Sequence, residues 1–118
     1  MHMTQWTKDK ANSWYDKQPW LVGCNFLPSS AINQLEMFQD ETFDSDLINK
    51  EISWAKDLGF NSLRVYLHDL LWDDPTNFSN KLDTFLDVCS LHSIKPILVL
   101  FDDCHRPYPK KGRQPLPL

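Results

Sequence analysis

The sequence has no cluster of positive charge and no long apolar run, and both absences limit its partners. It carries 12 lysines and arginines against 16 aspartates and glutamates, a formal net charge of −4. Nucleic acids and anionic membranes attract proteins through basic clusters, so we expect neither as a partner. The short group Lys110, Lys111 and Arg113 is interpreted as a solvated loop. No apolar stretch approaches the ~20 residues that cross a bilayer, and the start, MHMTQWTKDK, lacks the apolar core of a signal peptide.

Cysteine is also scarce. Cys24, Cys89 and Cys104 are widely spaced, odd in number and in no CxxC pair. Disulfide frameworks and zinc sites need cysteines in pairs at close spacing. We therefore expect three ordinary, small buried side chains, no metal and no cofactor. The cellular compartment is left open.

The composition is instead typical of one folded domain over residues 1–118, with 42% hydrophobic and 13% aromatic residues. Nearly continuous apolar stretches predict strands at about 20–26, 62–68 and 95–101. Helical patterns precede and separate these strands. Such an alternation is typical of parallel βαβ units that are buried on both faces. The predicted fold class is α/β.

The helix ends have recognisable local signals. A short helix is predicted over residues 8–17, and Asp44 or Ser45 is a suitable N-cap for the next one. Gly59 suits the left-handed position that ends a helix. The apolar face of the next predicted helix contains Phe78, Leu82, Phe85 and Cys89. Ser93 follows that helix at the position equivalent to Gly59, in a weak internal repeat with an offset of 34 residues. Eight such units approach the ~250 residues of a (β/α)8 barrel.

The residues after the third predicted strand are rich in proline, at positions 107, 109, 115 and 117. Proline in a helix interior breaks the helix, so no third helix is expected there. Two helices cover one face of a three-stranded sheet and leave the other face and both edges open. We therefore expect the βαβαβ portion of a (β/α)8 TIM barrel, truncated after its third strand, with self-association through the open sheet as a further expectation.

Polar and aromatic residues follow the predicted strands. Sites in α/β proteins form beyond the carboxyl ends of the strands. Each residue there also has a plain structural alternative, such as shaping a turn, capping a helix or packing in a loop. The candidates are Asn25, His68, Asp69, Trp72, Asp102, Asp103 and His105. A metal site built from the last three is disfavoured, because no ligand spacing demands it.

Arg64 is a charged residue in the middle of the second predicted strand. Because side chains alternate along a strand, its neighbours Leu63 and Val65 would face the helices. Arg64, Tyr66 and His68 would then share the opposite face. A fully buried arginine needs a carboxylate or several carbonyl partners, and the sequence forces none. In a closed barrel this face points inward, where an acid from a later strand could lie.

The segments GCNFLPSSAINQLEMF, GFNSLRVYLHDLLW and SIKPILVLFDD together resemble the amino-terminal part of bacterial clan-A glycoside hydrolases. These are (β/α)8 barrels, here nearest to family 5 and to proteins commonly labelled 1,4-β-xylanase or cellulase. The resemblance runs from about Trp14 to the last residue. GFNSLRV is shared by much of the clan, whereas its combination with the other segments is more specific to one branch.

The resemblance implies an exported, retaining glycosidase acting on β-linked plant-type polysaccharide such as xylan, cellulose or mannan. It implies that Arg64 supports the catalytic nucleophile and that the strand-end candidates line the substrate cleft. The two catalytic glutamates would follow strands four and seven, the first of them in an Asn-Glu motif. No Asn-Glu dipeptide occurs here, and Glu36, Glu41 and Glu51 match neither position. The chain alone is therefore predicted to be inactive. A histidine often follows the third strand in the family, whereas this sequence reads Asp102-Asp103-Cys104-His105.

Two other classes of protein remain open. A non-catalytic carbohydrate- or protein-binding α/β module would need a partner over the open sheet face. A receiver-like signalling domain would also place acidic residues at the strand ends, but it needs five βα units and a lysine after the last strand.

Overall fold

A computed structural model describes residues 3–102 and 107–116, which form a parallel sheet with helices against one of its faces. The strands are β1 (Gly23–Asn25), β2 (Ser62–Tyr66) and β3 (Lys95–Val99), in the order β1-β2-β3. The predicted α/β class is confirmed. The open three-stranded sheet is compatible with a partial βαβαβ unit.

The strands are shorter than the sequence predicts, and β1 differs most. Before β1, the side chain of Asn61 takes over the pairing that a longer strand would make. Its Oδ1 accepts from the Val22 N–H (2.7 Å) and its Nδ2 donates to the Trp20 carbonyl oxygen (2.8 Å). β3 ends earlier than predicted because the chain turns at Phe101, which has a φ of 56°.

In the described part of the chain, four α-helices and one 3-10 helix accompany the strands. The first two are α1 (Lys8–Asp16) and the four-residue α2 (Gln34–Met37). The longer ones are α3 (Ser45–Asp57) and α4 (Pro75–Leu91), and the 3-10 helix covers Asp69–Asp73. The sequence predicted α1, α3 and α4, whereas α2 and the 3-10 helix fall in stretches that were predicted as loops.

The predicted helix ends are confirmed. The Asp44 carboxylate caps α3 by accepting from the Leu47 N–H at 2.9 Å. Gly59 follows with a φ of 93°, and Ser93 takes the same left-handed region after α4, with a φ of 56°. Proline at the first position of α4 has no N–H to leave unpaired, and Asp74 caps that helix through the Asn77 N–H at 3.2 Å.

The core lies between the sheet and the helices α2, α3 and α4. Phe38, which directly follows α2, packs edge-on against Phe78 and Phe85 of α4, at ring-centroid distances of 5.7 and 5.9 Å. Leu63 and Val65 supply the sheet side and are buried. Each fully buried side chain of this size contributes about 1.5–3 kcal/mol, so this one layer holds the fold together.

The opposite face of the sheet is open, as expected for three strands with helices over one face only. On this face Gly23, Asn25 and Arg64 are exposed, and Ile97 is 49% exposed. The described helices all pack on the other side or lie at the amino edge, so nothing in the described part of the chain covers this face.

The expectation of three buried cysteines is wrong for one of them. Cys89 is buried in the core, whereas Cys24 lies on the edge strand β1 and is exposed. Cys24 is the register partner of buried Leu63, but β1 is the edge strand of the sheet and the helix layer does not bury it. Cys104 lies outside the described residues.

The expectation of a solvated loop at residues 110–113 is only half right. The side chains of Lys110, Lys111 and Arg113 are exposed. The backbone is docked, however, because Gly112 and Gln114 form hydrogen bonds with residues of and beside α2. In the same described residues, no helix is long and apolar enough to cross a membrane.

Candidate functional site at the carboxyl edge of the sheet

Asn25 and Arg64 are paired across the strands β1 and β2 near their carboxyl ends. Their Cα atoms are register partners, and the Arg64 Nε–H donates to Asn25 Oδ1 at 2.7 Å. The guanidinium carbon lies 5.2 Å from the centroid of the Tyr66 ring, a cation–π contact on the same face of the sheet. The guanidinium is therefore held from two sides while remaining open to solvent.

The exposure of Arg64 removes the problem of a buried charge. Its permanent charge is solvated, so it needs no carboxylate to be tolerated in the strand. Over residues 3–102 and 107–116, no carboxylate forms an ion pair with it. A guanidinium carries five N–H donors in a planar fork, and Asn25 accepts from only one of them. The outer edge of Arg64 can thus donate to a further acceptor.

A cleft of about 200 Å³ opens beside this pair, at the carboxyl edge. A shallow depression of about 360 Å³ adjoins it on the open sheet face, and Asn25 lines both. The cleft combines amide, phenol and apolar side chains, a mixture suited to a ligand with hydroxyl groups and apolar faces. Its lining residues are Asn25, Phe26, Leu27, Gln34, Met37 and Tyr66.

Gln34 connects the cleft to the end of β3. Its Nε2 donates to the backbone carbonyl oxygen of Asp102 at 2.6 Å. The Asp102 N–H in turn donates to the Leu67 carbonyl oxygen at 3.2 Å, continuing the pairing of β3 with the chain after β2. The predicted site residue Asp102 therefore stands at the same edge as Asn25 and Arg64, while Asp103 and His105 lie outside the described residues.

His68 and Asp69 begin the 3-10 helix. His68 is 5% exposed, so it is not part of the open surface of Arg64. Its Nδ1 accepts from the Leu70 N–H at 3.1 Å and lies 3.1 Å from Asp69 Oδ1. His68 therefore caps the 3-10 helix, which is the structural alternative to a role in the cleft.

Trp72 lies farther along the same 3-10 helix. Its ring meets Phe78 of α4 edge-on, with the centroids 6.3 Å apart. The side chain is 53% exposed and lines neither the cleft nor the depression. Trp72 therefore packs on the helix layer, away from Arg64.

Sequence reasoning missed Gln34 and did not name Tyr66 as a candidate, although it placed Tyr66 on the correct face. A helix of four residues is too short to show a 3.6-residue apolar period, so the spacing of apolar residues could not predict α2. Its start nevertheless has a local signal, since Asn33 is followed three residues later by Glu36. The Asn33 Oδ1 does accept from the Glu36 N–H, at 3.0 Å.

Two groups among the described residues have shifted pKa values, and both lie away from the cleft. Hydrogen bonds from Lys81 and then Asn77 lower the pKa of Asp40. Burial raises the pKa of the Cys89 thiol to about 12. Within the described ranges, no three side chains of histidine, cysteine, aspartate or glutamate gather closely enough to hold a metal ion.

No family model, curated protein or solved structure matches the chain. Fold and site together define an open, parallel α/β sheet with a largely apolar cleft and an exposed, oriented arginine at its carboxyl edge.

Proposed function

We propose that the chain forms the first three strands of a (β/α)8 glycoside hydrolase barrel and supplies one side of its substrate cleft. The substrate class is β-linked plant-type polysaccharide: xylan, cellulose or mannan. The observation that carries the proposal is the hydrogen-bonded pair Asn25–Arg64, which presents a guanidinium on the open face of a parallel sheet.

The sheet supports the barrel part of the proposal. Its strands follow one another in chain order, as consecutive strands of a barrel do. Its helices cover one face, and the open face would become the barrel interior. The motifs around Asn25 and Arg64, GCNFLPSS and GFNSLRV, add the resemblance to clan-A glycosidases.

The chemistry assigned to Arg64 follows from its charge. A guanidinium beside a carboxylate lowers the pKa of the acid and keeps it ionised for attack on a sugar. Retaining glycosidases use two carboxyl groups about 5–5.5 Å apart, one as nucleophile and one as acid and base. Neither is supplied by this chain, so Arg64 is a positioning residue here. Asn25, Gln34 and Tyr66 would hydrogen-bond sugar hydroxyls.

The test begins with the reading frame beyond the Leu118 codon. The proposal expects an Asn-Glu motif and a later strand-end glutamate, and the full product should hydrolyse xylan, cellulose or mannan. In that product Arg64→Ala should lower kcat by about two orders of magnitude or more, in line with the loss of an electrostatic partner. Lys56→Ala is the matched control, because it removes an exposed positive charge on α3, outside both the cleft and residues 107–116. A frame without the two glutamates, or full activity in Arg64→Ala, contradicts the proposal.

A non-catalytic carbohydrate- or protein-binding module is the second candidate. The exposed apolar side chains of Leu21 and Ile97 beside Arg64 favour it, since such patches mark interaction surfaces. The oligomeric state of the 118-residue chain separates the two proposals. A chain that stays monomeric favours the module, whereas association through the open sheet face favours part of a barrel.

A further inference from the structure

Residues 107–116 are here called the strap. One side chain, Gln39, hydrogen-bonds both the N–H and the carbonyl oxygen of a strap residue, Gly112. The Gly112 N–H donates to Gln39 Oε1 at 2.7 Å, and Gln39 Nε2 donates to the Gly112 carbonyl oxygen at 3.0 Å. A side-chain amide that satisfies both backbone groups of one residue fixes the position of that residue. Gly112 has a φ of 97°, a conformation that favours glycine.

A buried carboxylate holds the next part of the strap. Glu36 of α2 is 4% exposed, and its Oε2 accepts from the Gln114 N–H at 2.6 Å. Gln114 is itself buried, and its Oε1 accepts from Asn33 Nδ2 at 3.1 Å. Its Nε2 donates back to the carbonyl oxygens of Lys110 (2.8 Å) and Gly112 (2.9 Å). The strap is therefore folded on itself and anchored to both ends of α2.

The helix under the strap is too short to be stable by itself. Isolated helices need many residues, because the first turn is costly to form, and α2 has four. The same helix supplies Gln34 and Met37 to the cleft, and Gln34 reaches the Asp102 carbonyl. The strap contacts and the cleft contacts are thus made by the same short helix, which Leu35 and Met37 also tie to the core.

We propose that the strap is a latch for the cleft: while Gln39 and Glu36 hold it, α2 keeps Gln34 in the cleft wall against the Asp102 carbonyl, and its release loosens that wall at Gln34. The anchoring contacts are mostly hydrogen bonds, whose net contribution is small because water competes for the same groups. Local release therefore requires much less free energy than global unfolding. The latch concerns the shape of the cleft and is independent of the glycosidase proposal.

Amide hydrogen exchange of the full chain tests the latch. In Gln39→Ala, the Glu36 and Met37 amides should exchange about tenfold faster, as expected for losing two weak hydrogen bonds. The Asp102 amide should also accelerate, because it lies beside the Gln34 contact. The Leu67 amide, bonded to the Val99 carbonyl at 2.9 Å inside the sheet, should not change. Gln18→Ala is the matched control, since Gln18 bonds Trp14 and Lys95 away from the strap.

Gly112→Ala provides a second variant that acts from the strap side and leaves α2 intact. The added Cβ has space, but the φ of 97° is unfavourable for alanine. Gly112→Ala should therefore release the strap and give the same pattern of amide exchange even if Gln39→Ala fails to fold. The latch is overturned if Glu36 and Met37 exchange as in the unmodified chain. It is also overturned if Leu67 accelerates equally, or if Glu36 and Met37 accelerate without Asp102.

Discussion

The Nε–H of Arg64 donates to Asn25 Oδ1 across 2.7 Å and joins two parallel strands by their side chains. The contact lies on the open face of the sheet, beside the cleft. It orients the guanidinium within its plane, while the Tyr66 ring supports one side of it. One amide therefore determines where the only positive charge of this strand points.

Replacing the amide tests how strongly it holds the charge. Asn25→Ala should lower the free energy of unfolding in urea by about 1 kcal/mol, because one solvent-exposed hydrogen bond is lost. Asn12→Ala, on the exposed helix α1, is the control and should not lower it, because alanine favours the helix more than asparagine does. Equal stabilities of the two variants would show that the Asn25–Arg64 contact contributes nothing measurable.

A second prediction compares two glycines that are required for different structural reasons. At Gly23 an added Cβ would lie 1.9 Å from the Ser62 carbonyl oxygen, which belongs to the paired strand. Gly23→Ala should therefore separate β1 from β2 and lower the free energy of unfolding by about 3 kcal/mol. At Gly59 an added Cβ has open space, and only the φ of 93° opposes it. Gly59→Ala should lower the same free energy by about 1 kcal/mol.

Urea unfolding followed by fluorescence measures both glycine variants. Exchange of the Phe26 amide, which donates to the Arg64 carbonyl at 2.9 Å, reports whether β1 remains paired. If Gly23→Ala unfolds no more easily than Gly59→Ala, the close approach of the two backbones is not a constraint on this fold.

The features that sequence reasoning predicted are those determined by neighbours along the chain. Asp44 caps α3 through a residue three positions away, and the left-handed φ of Gly59 and Ser93 follows from ending a helix. The alternation of Arg64 with buried leucine and valine is also local. Each of these is determined by the geometry of a single element.

The features that it missed depend on residues far apart in the chain. Gln39 and Gly112 are separated by 73 positions, and Gln34 reaches a carbonyl 68 positions away. Neither contact has a periodicity or a spacing that marks it in the sequence. The exposure of Cys24 was missed for the same reason, because it depends on which strand lies at the edge of the sheet.

The open face of the sheet leads to a third prediction. Ile97 lies opposite Arg64 in the register of β2 and β3 and is 49% exposed. Unpaired edges and uncovered apolar faces promote association, so the chain should self-associate at micromolar concentrations. Ile97→Lys should weaken that association about tenfold or more, because a second charge beside Arg64 would have to be desolvated.

Sedimentation velocity over a concentration series measures this effect. Leu58→Lys is the control, since Leu58 is 76% exposed at the end of α3, on the helix side of the sheet. If the two lysine variants weaken association equally, the open face is not the surface through which the chains meet.

The fourth prediction concerns the two cysteines of the described residues. Iodoacetamide at pH 8, followed by peptide mapping, should modify Cys24 in the folded chain and Cys89 only after unfolding, because one thiol is exposed and the other buried. Modification of both at equal rates in the folded chain would contradict the burial of Cys89.

The same burial predicts how stability depends on pH. Once the chain unfolds, the Cys89 thiol ionises near its ordinary pKa of 9.0, whereas burial in the folded chain raises that pKa to about 12. Between these values the folded state holds a proton that the unfolded state has lost. The contribution of Cys89 to stability is therefore complete below pH 9 and is lost as the pH rises to about 12. Cys89→Ala should be less stable at neutral pH because of the cavity it leaves, yet its Tm should fall less steeply above pH 9 than that of Cys24→Ala. Parallel slopes in the two variants would mean that ionisation of Cys89 is not linked to unfolding.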